Sequence, residues 1–400
     1  MTGAADDDPS GIATYSQAGA QFGYGLLWTM ILTYPLMAAV QLVSAHIGRV
    51  TGAGLGKNLG RVFPHPVVSL LVTILLIANI FNIGADLSAM AAAAQLVGGG
   101  SSHIYVILFA LLAVGLQLFI PYRQYSSVLK WLTLSLLAYV GVILLVHIDW
   151  PQALLGMIWP RNLGMTALLT VVAVLGTTIS PYLFFWQTAE EVEEMEIKDQ
   201  PNLKEMNPQA ARLQLRRMGI DTFAGMSISN LIAFFIMLTT AVTLHQSGVT
   251  DIQTSAQAAE ALRPVAGNFA FLLFSLGIIG TGFLAVPVLA GSTAYAACEA
   301  CNWPKGLEKK PGEAKAFYGV IVAGMLIALG VLFSPLDPIK MLFWSAVING
   351  IIAVPIMAAM MIVARQHRRM GVFVATPWQR ILGWAATLAM GAAVIGMFVV

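Results

Sequence analysis

The sequence predicts an all-α protein that crosses a membrane many times. Three observations carry that prediction. Hydrophobic residue types make up 58% of the 400 residues and charged types only 10%, where an ordinary soluble protein carries roughly a quarter charged residues. Apolar runs of about 20 residues, the length that spans a bilayer as a helix, recur along nearly the whole chain. Two of those runs are broken by proline, at Asp8-Pro9 and at Ser180-Pro181. No stretch is left for a sizeable soluble domain, so residues 1–400 read as one transmembrane unit.

Eleven spans follow in order. The first occupies about 1–23, with Asp6-Asp7-Asp8 ahead of Pro9 and helix after Gly11. Three aspartates before the first apolar run resemble no cleavable signal. The second span is 26–47, and the third, 66–96, closes on Gly98-Gly99-Gly100. The fourth and fifth are 103–121 and 126–147. The sixth, 164–200, opens after Trp159-Pro160-Arg161-Asn162 and is interrupted at Ser180-Pro181. The seventh and eighth are 218–245 and 268–300. The ninth, 316–334, lies between Pro311-Gly312 and Ser334-Pro335, and 338–364 and 379–400 complete the set. Gly and Pro at these junctions are the expected helix breakers.

Charge sets the orientation. Of the 21 Lys and Arg residues, only Arg161, Arg263 and Lys340 fall on the side opposite the rest. The positive-inside rule then places the N-terminus in the cytoplasm and Val400 outside. The net charge of +2 makes no case for nucleic acid. The partners expected are a lipid bilayer and a small cation. Each broken segment opens a set of five spans, so an inverted repeat is expected: repeat one over 1–147, repeat two over 164–364, and an extra helix over 379–400.

A carboxylate at membrane depth is costly unless solvated, paired or bound to a cation. Asp8 has no mid-span Lys or Arg to pair with, so a cation or a water-filled cavity would stabilise it. The alternative is a solvated tail capping a helix. At the second break Thr177 and Ser180 share a helical face, and Pro181 frees a carbonyl one turn earlier. Together they offer hard oxygen ligands and no sulfur; an ordinary proline kink with hydroxyls bonded back to carbonyls is the plainer reading. Asp86 is the other mid-membrane carboxylate, suited to a path or to a helix–helix hydrogen bond. Asn230 and Asn349 are buried amides that read as helix–helix contacts, with Asn349 also placed where a path could pass.

The run Glu190, Glu191, Glu193, Glu194, Glu196 reads as a solvated helix end or a cation-attracting mouth. The six histidines fall near span ends, leaving no imidazole for an intramembrane relay. Cys298 and Cys301 form a lone C-x-x-C, too few ligands for a zinc site. They read as small residues at a helix end, with redox or metal chemistry as the alternative.

At this point the sequence resembles the NRAMP family of divalent-metal transporters. The matching pieces are Asp8-Pro9-Ser10-Gly11-Ile12-Ala13-Thr14, Gln17-Ala18-Gly19-Ala20-Gln21-Phe22-Gly23-Tyr24, Ala85-Asp86-Leu87 and Gly176-Thr177-Thr178-Ile179-Ser180-Pro181-Tyr182. The resemblance covers essentially the whole chain. It implies a leucine-transporter-like fold of two inverted five-helix repeats plus an eleventh helix, working by alternating access. The departures bear on substrate. Gly11 stands where the family has an Asn, Ser180 replaces a Met, Tyr182 and Gln187 replace two His, and Ala89 replaces a Glu. The ninth span carries no counterpart of the family's arginine pair. An all-oxygen site in place of a thioether suits Mg²⁺ or Mn²⁺, and the missing acid–base groups argue against proton coupling. The pattern resembles the NRAMP-related magnesium transporters. The family also has a half-helix before the Asp-Pro motif where only Met1 to Ala5 precede the aspartates, so the inner gate is expected to be incomplete.

The function expected is therefore movement of Mg²⁺ and Mn²⁺ across a membrane, bacterial and inner, with the metal as cargo and no cofactor. Asp8, Gly11, Thr177 and Ser180 are the expected metal site. Asp86, Asn349, Tyr182 and Gln187 are the expected path. The rivals are a proton-coupled Mn²⁺/Fe²⁺ symporter, a sodium-coupled amino-acid transporter and a membrane enzyme. Successive aspartates would repel an amino-acid carboxylate, and no constellation of nucleophile and base supports an enzyme.

Overall fold

The structure is a computed structural model that describes residues 8–129, 131–160, 164–331 and 337–399. The expectations placed on Met1 to Ala5, Asp6, Asp7, Arg161, Asn162, Ser334, Pro335 and Val400 lie outside the described residues. Among the described residues the regular elements are all helical, as lipid requires where each backbone group must find its partner within its own segment.

In chain order the α-helices of six or more residues are α1 Pro9–Phe22, α2 Trp28–Thr51, α3 Leu55–Gly60, α4 His65–Gly98, α5 Ser102–Phe119, α6 Tyr122–Leu129, α7 Leu137–Leu145 and α8 Trp150–Ile158. The second half holds α9 Met165–Thr178, α10 Pro181–Ile197, α11 Pro208–Thr240, α12 Ser255–Glu260, α13 Ala270–Cys301, α14 Lys315–Val331, α15 Pro338–Arg365 and α16 Pro377–Val399. Among the described residues 9 helices are long and apolar enough to cross a membrane. α14 is a shorter apolar helix, and α1 is the helical part of the first, broken span.

Burial separates centre from rim. In the broken pair Met165–Ile197, 89% of the most apolar stretch is buried, against 28% for Ser102–Phe119 and for Pro377–Val399. α5 turns Ile104, Ile107 and Leu111 outward, and α16 turns out Leu388, Ile395 and Phe398. Such side chains belong against lipid tails, where exposure of apolar surface costs nothing. α1 packs against α4, α9, α11, α13 and α15, so both broken elements sit inside a ring of longer helices.

Small residues let the inner helices touch backbone to backbone. At Gly176, on α9, an added Cβ would lie 2.1 Å from the Ala346 carbonyl oxygen and 2.4 Å from the Gly350 nitrogen of α15. Both are main-chain atoms and cannot rotate away. Gly176→Ala is therefore expected to destabilise by about 1–3 kcal/mol through overpacking. A lowered unfolding temperature in detergent would show it, and a midpoint equal to the parent's would contradict this contact.

The fifth span, expected over 126–147, is present as Gln124–Leu145, with a 3₁₀ turn over Leu132–Leu136 between α6 and α7. That tighter turn fits against α13, where a Cβ at Gly280 would meet the Leu132 side chain at 2.5 Å. The seventh span begins ten residues before its apolar stretch, at Pro208, where Asn207 accepts from the Ala210 N–H at 2.8 Å. Hydropathy is blind to that cap. The glutamate run is not simply a solvated helix end, because Glu191 and Glu193 are buried. Arg49 lies 3.7 Å from Glu191 and 3.7 Å from Glu194. Glu193 accepts from the Tyr295 hydroxyl and from the Leu307 N–H.

Asn230 behaves as expected of helix–helix glue, donating to the Met30 carbonyl at 3.0 Å. Cys298 and Cys301 are both free thiols near the end of α13.

Candidate metal-cation site

Asp8 is the N-cap of α1, with extended backbone and Pro9 as the first helical residue. Proline suits that position because its missing N–H would have no intrahelical partner there. Asp8 Oδ1 accepts from the Gly11 N–H at 2.7 Å. The Ser10 hydroxyl lies 2.8 Å from each carboxylate oxygen. Asp8 is nevertheless only 1% exposed. Asp8 therefore caps the helix, as the alternative reading had it, but as a buried carboxylate and not as part of a solvated tail. The positive end of α1 favours the charge.

The second break faces it. α9 stops at Thr178; Ile179 and Ser180 leave helical geometry, and α10 starts on Pro181. Thr177 Oγ1 is 3.4 Å from Asp8 Oδ1 and 3.3 Å from Ser10 Oγ. A Cβ built on Gly11 would come 3.3 Å from Thr177 Oγ1 and 3.4 Å from Asp8 Oδ1. A larger residue there would crowd the space between carboxylate and break. Asp8, Gly11 and Thr177 are thus together. The Ser180 hydroxyl turns elsewhere: it donates to the Gly176 and Thr177 carbonyls at 3.0 and 2.8 Å. It satisfies the chain end that Pro181 leaves open, the back-bonding pattern of a kinked helix.

The expected path residues divide. Asp86, on α4, is fully buried, and among the described residues neither carboxylate oxygen has a hydrogen-bond partner. Asn349 is fully buried, with both amide atoms unpartnered among the described residues, between the Ala346 and Gly350 that press on Gly176. Tyr182 is fully buried in the first turn of α10. Gln187 belongs to a different group, accepting from Gln41 at 3.4 Å and donating to Glu191 at 3.2 Å. A cavity of about 830 Å³ lies beside α4, α5 and the start of α15. Ser88, Gln95, His103, Thr254 and Asp337 are among its lining residues, and Ser88 stands two residues beyond Asp86 on α4.

Sequence reasoning missed Asn82, whose Nδ2 donates to Asp8 Oδ2 at 3.3 Å. The available signal was spacing. Asn79, Asn82 and Asp86 recur along one face of α4 at helical intervals, and Asn79 donates to Ser292 and Thr293 of α13 at 3.0 and 2.9 Å. Ser10 and Thr178 were passed over inside quoted motifs. Thr178 Oγ1 lies 3.0 Å from the Tyr15 hydroxyl. Among the described residues no three His, Cys, Asp or Glu side chains converge. The site is one carboxylate in a setting of hydroxyls, an amide and the carbonyl end of α9.

A family model described as natural resistance-associated macrophage protein-like matches residues 1–400. The chain belongs to the Nramp family. Curated relatives of this Nramp chain include the divalent metal cation transporter MntH of Caldanaerobacter subterraneus subsp. tengcongensis, 24% identical over 391 residues, covering 94% of this chain and 86% of the relative. The protein of the same name from Klebsiella pneumoniae is 25% identical over 392 residues, covering 94% and 87%. Among solved structures, a single-residue variant of the Eremococcus coleocola manganese transporter superposes with a TM-score of 0.77 at 16% identity, covering 98% of this chain and 83% of that one. Mhp1, a nucleobase-cation-symport-1 family transporter in a closed conformation, gives 0.54 at 14% identity, covering 98% and 92%. The Nramp chain therefore has the leucine-transporter-like fold of two inverted five-helix repeats with an eleventh helix. Its relatives are named as transporters, not as enzymes.

Proposed function

We propose that this Nramp chain carries divalent metal cations across a bacterial inner membrane by alternating access, with Mg²⁺ and Mn²⁺ preferred. The observation that carries the reading is the Asp8 carboxylate, 1% exposed, held against the broken α9–α10 element by Thr177. A dication is the partner that such a charge lacks among Lys and Arg side chains. Asp8, Gly11 and Thr177 would form the site, with the Thr177 and Ser180 backbone and bound water completing the shell. Asp86 and Asn349 would line the path, which the cavity above Ser88 opens to the far side; Tyr182 and Gln187 would border it. Repeat one (1–147) would move against repeat two (164–364), 379–400 would flank them, and the N-terminus would be cytoplasmic.

The magnesium-type assignment rests on ligand chemistry. The donors that meet here are oxygens and amides, which suit Mg²⁺ and Mn²⁺ better than soft metals. A site with few protein ligands also leaves room for the waters Mg²⁺ retains. The relatives named for divalent metal or manganese support the same class of cargo. One observation favours a second reading, proton-coupled Mn²⁺ transport: Asp86 is a buried carboxylate whose oxygens have no hydrogen-bond partner among the described residues, and such a group is suited to carry a proton.

The test is uptake into proteoliposomes of Mg²⁺, Mn²⁺ and Cd²⁺, with a luminal pH dye. Mg²⁺ and Mn²⁺ are expected to enter, Cd²⁺ to enter poorly, and luminal pH to stay constant. Strong Cd²⁺ preference would reject the oxygen-site assignment, and acidification in step with Mn²⁺ would establish the second reading.

A further inference from the structure

Asn82 is fully buried, and its two amide atoms are treated unequally. Nδ2 donates to Asp8 Oδ2 at 3.3 Å, whereas among the described residues Oδ1 has no hydrogen-bond partner. An unpaired buried acceptor is costly, so one kept beside the central carboxylate points to a ligand for that atom. Around Asp8 the Gly11 N–H, the Ser10 and Thr177 hydroxyls and the Asn82 amide all act as donors. That set fits a carboxylate without a cation. Three of those groups can reverse their sense. The hydroxyls can rotate to present lone pairs, and a carboxamide turned by half a revolution exchanges N–H for C=O with almost no change of shape. Gly11 has no side chain to compete for the space.

We infer that Asn82 Oδ1 is a ligand of the transported dication, supplied by α4 from across the site when the carboxamide turns over. This rests on the metal-transport reading above. In the cation-free state the amide N–H neutralises part of the Asp8 charge. With the cation present, that N–H would face positive charge and the oxygen replaces it, which also gives the orphaned acceptor its partner. One carboxylate oxygen and one amide oxygen, from α1 and α4, then bind the cation together. α4 lies outside the two broken segments, so cation binding ties three elements instead of two.

The experiment measures Mn²⁺ binding by electron paramagnetic resonance and Mg²⁺ binding by calorimetry on the full chain in nanodiscs. Asn82→Leu keeps the shape and removes the ligand; Asn82→Ala removes it by truncation; Asn82→Asp keeps an oxygen; Asp8→Ala is the control for the parent reading. Expected is an affinity loss of at least about tenfold in Asn82→Leu and Asn82→Ala, the scale of lost metal-supporting contacts. Asn82→Asp should still bind, and Asn82→Leu should remain folded without metal, its unfolding midpoint lowered no further than that of Asn82→Ala. Unchanged affinity in both ligand-free variants, with binding lost in Asp8→Ala, would overturn the inference alone. So would equal losses in Asn82→Asp and Asn82→Leu, since the side chain would then act by packing. Unchanged binding in Asp8→Ala would instead sink the metal site itself.

Discussion

Asp8→Asn is expected to abolish divalent-cation uptake while leaving the helix intact, and Asp8→Ala to abolish uptake and loosen the helix as well. Asn caps a helix as well as Asp does, and its oxygen can accept from the Gly11 N–H that now lies 2.7 Å from Asp8 Oδ1. Alanine cannot, and loss of such a cap costs about 1 kcal/mol. Removing the charge acts in the opposite direction on stability. A carboxylate that is 1% exposed has given up most of its hydration, so Asp8→Asn should unfold at or above the parental temperature. Transport has no such compensation. A neutral amide offers a dication too little attraction to offset the water it sheds on entering the membrane. Uptake in proteoliposomes and thermal unfolding, read side by side, separate the two roles. Parental uptake by Asp8→Asn would remove Asp8 from the metal site.

Arg49→Ala is expected to be among the most destabilising single changes outside the site, by about 3–5 kcal/mol, the range for breaking a buried ion pair from one side. The Arg49 side chain has no exposure and stands 3.7 Å from both Glu191 and Glu194. It donates to Gln200 at 2.8 Å, and its carbonyl accepts from the Leu203 N–H at 3.1 Å. These contacts bind the end of α2 to the end of α10, the half-helix that follows the break. Glu194 keeps 26% side-chain exposure, so solvent screens that arm and the Glu191 arm dominates. Truncation leaves Glu191 buried without its cation. Arg49→Ala should lower the unfolding temperature and speed hydrogen exchange over 191–203. Adding Glu191→Gln should recover part of the loss, because it neutralises the stranded charge. Equal unfolding of parent and single variant would show that this cluster does not hold α10.

Much of the architecture was legible without coordinates, for local reasons. An apolar run of spanning length has few alternatives to helix in lipid. A proline at Pro9 or Pro181 removes a hydrogen-bond donor whatever surrounds it. The spans and both breaks therefore came through with small shifts of boundary. The exceptions were the 3₁₀ turn at Leu132–Leu136, decided by its fit against α13, and the early start of α11, set by a polar cap at Asn207. The site was legible where it is local. Gly11 lies in the first turn of α1 beside its own cap, and Asp8 and Thr177 each belong to a break. It was illegible where a residue meets a distant helix. Asn82 is an ordinary amide in the sequence, and only the approach of α4 to α1 brings it to 3.3 Å from Asp8.

The sequence by itself determined that the chain is a multi-span helical membrane protein with two broken helices and a carboxylate at one of them. Hydropathy, proline and helix capping act within a few residues and need no neighbour. Tertiary structure alone decided which polar atoms face each other: that Thr177 and Asn82 reach Asp8, that Ser180 turns back on its own carbonyls, and that Glu191 and Glu193 are buried. Those outcomes depend on the rotation and contact of whole helices, to which a pattern of apolar residues along one chain is blind.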